Sequence, residues 1–428
     1  MASIGDIVIT GLGVVCPIGV GAEAFWRSLL DGRSGISHLG WQGAMDLLDP
    51  IGGAVTQFEP ARYVRPRKNL KVMGREIQFG VAAADMACAG AKVASGGADP
   101  ERVGVVFGAD MMVSELDELV RAYRASMVEG ESAAEAWGNR SLAEMFPLWM
   151  LKYLPNMPAC HIGIALDARG PNNSHALGEV SSLTAVGEAA QVIERGQTDV
   201  MIAGGTGSRI HPLTMARYCA REMSHRTSDP AGACRPFDAG RDGMVLGEGA
   251  AAFVLEREEQ AAARGATVHA RILAFANAFE PSDAPRRRRG DSIRRVIHQA
   301  LGAANVKPAE VGHVNANGLS TTEDDRLEAQ AIRDLLGDVP VTAPKSYFGN
   351  LGAASGAVEM AVSVLALQHK RVPATLNYER PDPSCPIRVI RGEPMPCDKP
   401  VALVLNFSDT GQAAAVVLSA GEGTTPRG

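Results

Sequence analysis

Five short runs of aliphatic and β-branched residues punctuate the chain: IVITGLG (7–13), VGVVFGAD (103–110), VMIAGG (200–205), VGHVNANG (311–318) and VALVLNF (401–407). Each is apolar at consecutive rather than alternate positions and ends in small or polar residues, as a strand buried on both faces does before a loop. Between them lie Ala-rich segments of helical length at 79–94, 183–196 and 356–370. The alternation predicts an α/β protein with helices packed on buried sheets. A faint repeat points to duplication, because Pro100, Val103, Gly104 and Val106 recur 208 residues later as Pro308, Val311, Gly312 and Val314. Two similar halves would then cover 1–256 and 257–420, with 421–428 as a tail. Gly11 and Gly13 follow the first run, but Cys16 stands where a dinucleotide-binding turn needs its third glycine, so they read as a tight turn. The glycines of 238–249 have no lysine to meet a phosphate and read as points of close backbone approach.

Composition narrows the class. With 428 residues, 46% hydrophobic and 21% charged, the chain is an ordinary globular protein rather than a disordered, collagenous or coiled-coil one. Aromatics are only 5%, so Ala and small aliphatic side chains must fill the interior. The net charge of −6 gives no overall attraction to nucleic acid or an acidic membrane. Seven scattered cysteines without metal-ligand spacing read as reduced thiols, and no metal site is expected. Residues 1–13 lack a basic signal-peptide start, and no apolar run is long enough to span a bilayer, so a cytoplasmic location is expected. The most linker-like stretch, 281–291, carries Arg286 to Arg289 and reads as a solvated loop or as a contact for an anionic partner.

Several segments in order resemble the β-ketoacyl-acyl-carrier-protein synthases (ketosynthases) of the thiolase fold. They are VITGLGVVCPIG (8–19), LPNMPACH (154–161) leading to RGPN (169–172), TDVMIAGGT (198–206) and RPFDAGRDGMVLGEGA (235–250). VNANGLST (314–321), PKSYFGNLGAASGAVE (344–359) and VPATLNY (372–378) continue the likeness. It covers nearly the whole chain and implies two fused βαβαβ halves in a five-layered αβαβα core, and a dimer. It also implies chemistry on acyl groups carried by the phosphopantetheine of an acyl carrier protein, with no cofactor bound to the chain itself. In such enzymes a cysteine thiolate at a helix N-terminus accepts the acyl group, and two histidines stabilise the enolate formed on decarboxylation.

At all three positions this sequence differs. By the resemblance, Glu179 stands at the cysteine position, and Asn317 and Asn350 at the two histidines. Lys345 and Glu359 match a charged pair that the family buries beside the site. Ser408, Asp409 and Thr410 fall in the loop that gates the acyl side, with Thr410 in place of a gating Phe.

A helix N-terminus favours a carboxylate by about 0.3–1 kcal/mol, so Glu179 is expected to be ionised unless burial wins. An ionised carboxylate is a poor acyl acceptor, because the anhydride it would form lies uphill. One reading makes Glu179 a general base, with Asn317 and Asn350 as an oxyanion pair and His175 assisting. Another keeps a residual malonyl decarboxylation. In the third the chain is a non-condensing partner like a chain-length factor, paired with an active ketosynthase. There Glu179 is a hydrogen-bonded plug met by amide donors from Asn317 and Asn350 and by charge from Lys345.

Despite the negative total, Arg62, Arg65, Arg67, Lys68, Lys71 and Arg75 form a basic strip within fourteen residues. Its position resembles the family's docking helix for acidic carrier proteins; a solvated helix face is the plainer reading.

Overall fold

A computed structural model describes residues 6–40, 50–93, 99–281 and 289–421. All five apolar runs are strands: β1 (Ile7–Cys16), β2 (Val103–Ala109), β4 (Val200–Ser208), β7 (Val311–Asn315) and β10 (Val401–Phe407). They are joined by β3 (Asn172–His175), β5 (Glu248–Arg257), β6 (Ala270–Phe279), β8 (Pro340–Thr342), β9 (Arg388–Val389) and β11 (Gln412–Ala420).

The strand order is β9-β8-β7-β10-β11-β6-β1-β5-β4-β2-β3, with a short Gly19–Val20 strand folded back on β1. Read outward from the centre, the two sides have the same plan. On one, β1 pairs antiparallel with β5 and β5 antiparallel with β4, followed by parallel β2 and β3. On the other, β6, β11, β10, β7 and β8 repeat these directions. Ile7, Val8 and Ile9 of β1 pair with Ile272, Arg271 and Ala270 of β6, so the half-sheets meet edge to edge in one ladder. The repeat seen in the sequence falls on equivalent elements: Pro100–Arg102 and Pro308–Glu310 are 3-10 turns that lead into β2 and β7.

The helices alternate with these strands. On the outer side of the first half lie α1 (Arg75–Ala91) and α2 (Met157–Leu166), and on the outer side of the second α4 (Asp291–Ala304) and α5 (Thr322–Leu336). Between the half-sheets lie α3 (Ser181–Glu194) and α6 (Ser355–His369), which completes five layers. Every residue of α6 from Ser355 to Leu367 is buried, which is possible because the span is Ala, Val, Ser, Gly and Leu apart from Met360 and Glu359, and the Glu359 carboxylate is paired with Lys345. Gly11 and Gly13 do not make the expected turn. They lie inside β1, and a Cβ at either would overlap a carbonyl of α1, at Ala87 and Ala83, so they set how closely that helix approaches the strand. Residues 286–288 of the arginine run lie outside the described residues, as does most of the 421–428 tail. Among the described residues, no helix is long and apolar enough to cross a membrane.

Candidate active site

The two central helices begin alike. A 3-10 turn, Gly178–Val180, opens onto α3, and another, Gly352–Ala354, opens onto α6. Gly178 and Gly352 have φ of 62° and 60°, the left-handed region that glycine enters without a Cβ clash. These N-termini converge, and Glu179 and Asn350 meet there.

Glu179 is 7% exposed. Its Oε1 accepts hydrogen bonds from Arg209 Nη1 at 2.6 Å and from Asn350 Nδ2 at 3.0 Å. Arg209, itself buried, follows the last residue of β4 and has its Nε 3.7 Å from Asp110 Oδ2, which follows β2. Asp110 Oδ2 accepts from the Ala353 backbone N–H, and Asn350 Oδ1 from that of Gly352. A Cβ at Gly352 would overlap Asp110 Oδ2, so only glycine admits this set. Burial pushes the Glu179 carboxyl up, but the charge and hydrogen bond of Arg209, with Asn350, outweigh it and hold the group down at about 2. Burial raises the Asp110 carboxyl, with Arg209 opposing.

Lys345 does not reach this carboxylate. It forms a second buried set, in which Nζ donates to Asn317 O at 2.9 Å and Oδ1 at 2.8 Å and pairs with Glu359. Asn406 Nδ2 also donates to Glu359. Burial raises Glu359 to about 7, with Lys345 and Asn406 holding it lower than burial alone would. Glu328 accepts from the backbone N–H groups of Asn317 and Gly318, fixing that turn. The expectation that Asn317 and Lys345 serve Glu179 is therefore corrected: Asn350 is one donor, and the charge comes from Arg209. His175 pairs with Glu188, Ser181 Oγ donates to Gly178 O, and Ser182 Oγ accepts from the Ala357 N–H. None of the three is hydrogen-bonded to Glu179.

A cavity of about 340 Å³ is lined by Glu179 together with Ser408, Asp409 and Thr410. Ser408 and Thr410 are joined hydroxyl to hydroxyl at 2.6 Å, and Asp409 is paired with Arg221. Arg209 and Arg221 both stack on the Tyr218 ring, at 4.8 and 5.2 Å from its centroid. A chain of contacts thus runs from Glu179 through Arg209, Tyr218 and Arg221 to Asp409 on the loop. Arg209, Asp110, Tyr218 and Arg221 escaped sequence reasoning. The one available signal was a lone arginine directly after an apolar strand that ends at the site.

Of the basic strip, Arg65, Arg67, Lys68 and Lys71 are exposed on or beside the 3-10 turn Arg67–Val72. Arg62 pairs with Glu59. Arg75 is half-exposed, with its guanidinium on buried Glu248 and on the Val55 carbonyl.

Two halves that repeat the same five-strand plan around two central helices, with the site where those helices start, define a thiolase-type fold. Residues 5–261 match the Beta-ketoacyl synthase, N-terminal domain, and residues 269–379 the Beta-ketoacyl synthase, C-terminal domain. The chain belongs to the beta-ketoacyl synthase family. It is 32% identical over 410 residues to 3-oxoacyl-[acyl-carrier-protein] synthase 2 of Synechocystis sp., covering 94% of each chain. It is 36% identical over 392 residues to a putative polyketide beta-ketoacyl synthase 1 of Streptomyces cyaneus, covering 89% of each. Among solved structures, the ishigamide ketosynthase/chain length factor superposes with a TM-score of 0.83 at 27% identity, over 97% of this chain and 99% of that one.

Proposed function

We propose that this protein is a ketosynthase-family subunit that handles carrier-bound acyl intermediates without condensing them, pairing with a catalytically complete ketosynthase. The observation that carries the reading is the buried Arg209–Glu179–Asn350 contact. A carboxylate held at about 2 and bonded by a guanidinium is a weak base and a poor acyl acceptor. No cysteine lines the cavity beside it. Asn317, which the enolate chemistry would need as a histidine, is bonded through its side-chain oxygen to Lys345. General-base catalysis by Glu179 and malonyl decarboxylation gain no support from this arrangement, because Glu179 is tied to Arg209, the Asn350 amide is spent on Glu179 and Asn317 is tied to Lys345. The likeness to a ketosynthase/chain length factor structure agrees with a partner role, and a relative named for acyl-carrier-protein chemistry agrees with a carrier as the docking partner.

The test is an assay with acyl- and malonyl-carrier protein, first on the isolated chain and then with a ketosynthase that has its Cys/His/His set. The expected result is no turnover alone, with complex formation and product only in the mixture. Turnover by the isolated chain that disappears in Glu179→Gln would overturn the proposal in favour of a Glu179-dependent enzyme.

A further inference from the structure

Most polar groups around the Glu179 cavity are already engaged. Glu179 receives Arg209 and Asn350, Asp110 receives the Ala353 N–H, Asp409 is paired with Arg221, and Ser408 is bonded to Thr410. Three arginines line the space, and two of them are accounted for by these contacts. The third, Arg217, is exposed, has no ion pair or hydrogen bond among the described residues, and acts on Asp110 only through its charge. Thr214 lines the same cavity one turn earlier on the helix Pro212–Tyr218, and residues three apart share a helix face. The unused hydrogen-bonding capacity on this wall is therefore donor-rich: a planar guanidinium fork with a hydroxyl beside it. Such a fork recognises a carboxylate or phosphate through paired, charge-assisted N–H···O bonds. An alkyl chain placed against the same wall would desolvate charges and gain no partner for them.

We infer that Arg217 is the anion-reading residue of this cavity, and that with Thr214 it selects thioester ligands bearing a carboxylate or phosphate over neutral acyl chains. The choice of pantetheine ligands rests on the proposed handling of carrier-bound acyl groups; the role of Arg217 rests on the cavity alone.

Three probes separate the sources: malonyl-pantetheine carries a carboxylate but no phosphate, phosphopantetheine a phosphate but no acyl group, and butyryl-pantetheine neither. Titration calorimetry on the full chain should show at least one anionic probe binding about tenfold more tightly than butyryl-pantetheine. Arg217→Gln should abolish that preference while leaving the butyryl affinity unchanged, and Arg217→Lys should keep part of it. Preference for malonyl-pantetheine alone would assign a carboxylate, and for phosphopantetheine alone a phosphate; either supports the inference. Equal affinities for all three probes, or a preference that survives Arg217→Gln, overturns it. Since Arg217 is exposed, its variants should fold like the parent, and unchanged unfolding midpoints verify this. Binding of a carrier protein with no anion preference would sink this inference and leave the proposed function standing.

Discussion

Replacing Glu179 with Gln keeps the shape of the side chain and removes the charge that faces Arg209. In the folded protein Glu179 titrates at about 2, against an ordinary value of 4.5. At about 1.4 kcal/mol per pKa unit, the ionised group contributes about 3 kcal/mol at neutral pH. The folded value is depressed, so this contribution is complete above the unfolded value, falls as pH drops toward about 2 and is absent below it. Glu179→Gln should lower the unfolding free energy by about 3 kcal/mol at pH 7, measured as a drop in the urea midpoint. The gap from the parent should narrow as the pH is taken from about 4.5 toward about 2. Glu179→Gln with Arg209→Met and Asp110→Asn removes all three charges and should recover part of the loss, since neutral replacement of a buried charged set costs less than breaking it. A single variant within about 0.5 kcal/mol of the parent at pH 7 would refute the reasoning, as would a deficit that does not change with pH.

Burial, then the neighbouring Asp110, pushes Glu76 up to about 8, so its contribution is present below the ordinary carboxylate range and lost as pH rises through about 8. Glu76→Gln, neutral throughout, should flatten the decline of Tm over that window; an unchanged slope would exclude Glu76 as its source. Asp409→Asn frees Arg221 and should speed amide hydrogen exchange over 406–412, with the swap Asp409→Arg plus Arg221→Asp slowing it again. Unaltered exchange in Asp409→Asn would mean that the ion pair does not hold the loop. Glu substitutions at Arg65, Arg67, Lys68 and Lys71 should weaken binding of an acidic carrier protein and flatten its salt dependence, and a salt-independent affinity in the parent would remove the docking claim. Arg75→Ala should in addition cost about 1–2 kcal/mol of stability, because it takes the cation from buried Glu248, which keeps the Val55 N–H and the Ser208 hydroxyl; denaturation measures this loss.

The fold was legible because its strands are buried on both faces and its central helices need small residues: IVITGLG and the Ala-rich 356–370 segment can be little else. Two misreadings came from local rules that packing overrides. Gly11 and Gly13 look like a turn until the α1 backbone is seen lying on them. Arg75 looks like a surface cation and nothing more, yet its half-exposed guanidinium also holds buried Glu248. At the site, Glu179 and Asn350 could be located by motif spacing, but their partners could not. Arg209 lies thirty residues from Glu179, and Asp110 lies farther still on another strand. Nothing local to either marks it as a neighbour. Only the convergence of strand ends and helix starts brings them together, which is why Lys345 appeared to be the available cation.

Gly352 ties position 179 to its neighbours. With the Asp110 carboxylate in the space that a Cβ would occupy, the acid, Arg209 and the glycine form one fitted group. A thiol introduced at 179 would face the Arg209 guanidinium that now meets a carboxylate, with Asp110 alone left to neutralise it. The three positions are therefore expected to be coupled, the cost of changing one depending on the other two. Redesign toward thiol chemistry therefore has to move Arg209 and Asp110 in the same step as Glu179, and an isolated cysteine replacement tests the scaffold's tolerance rather than its catalytic capacity.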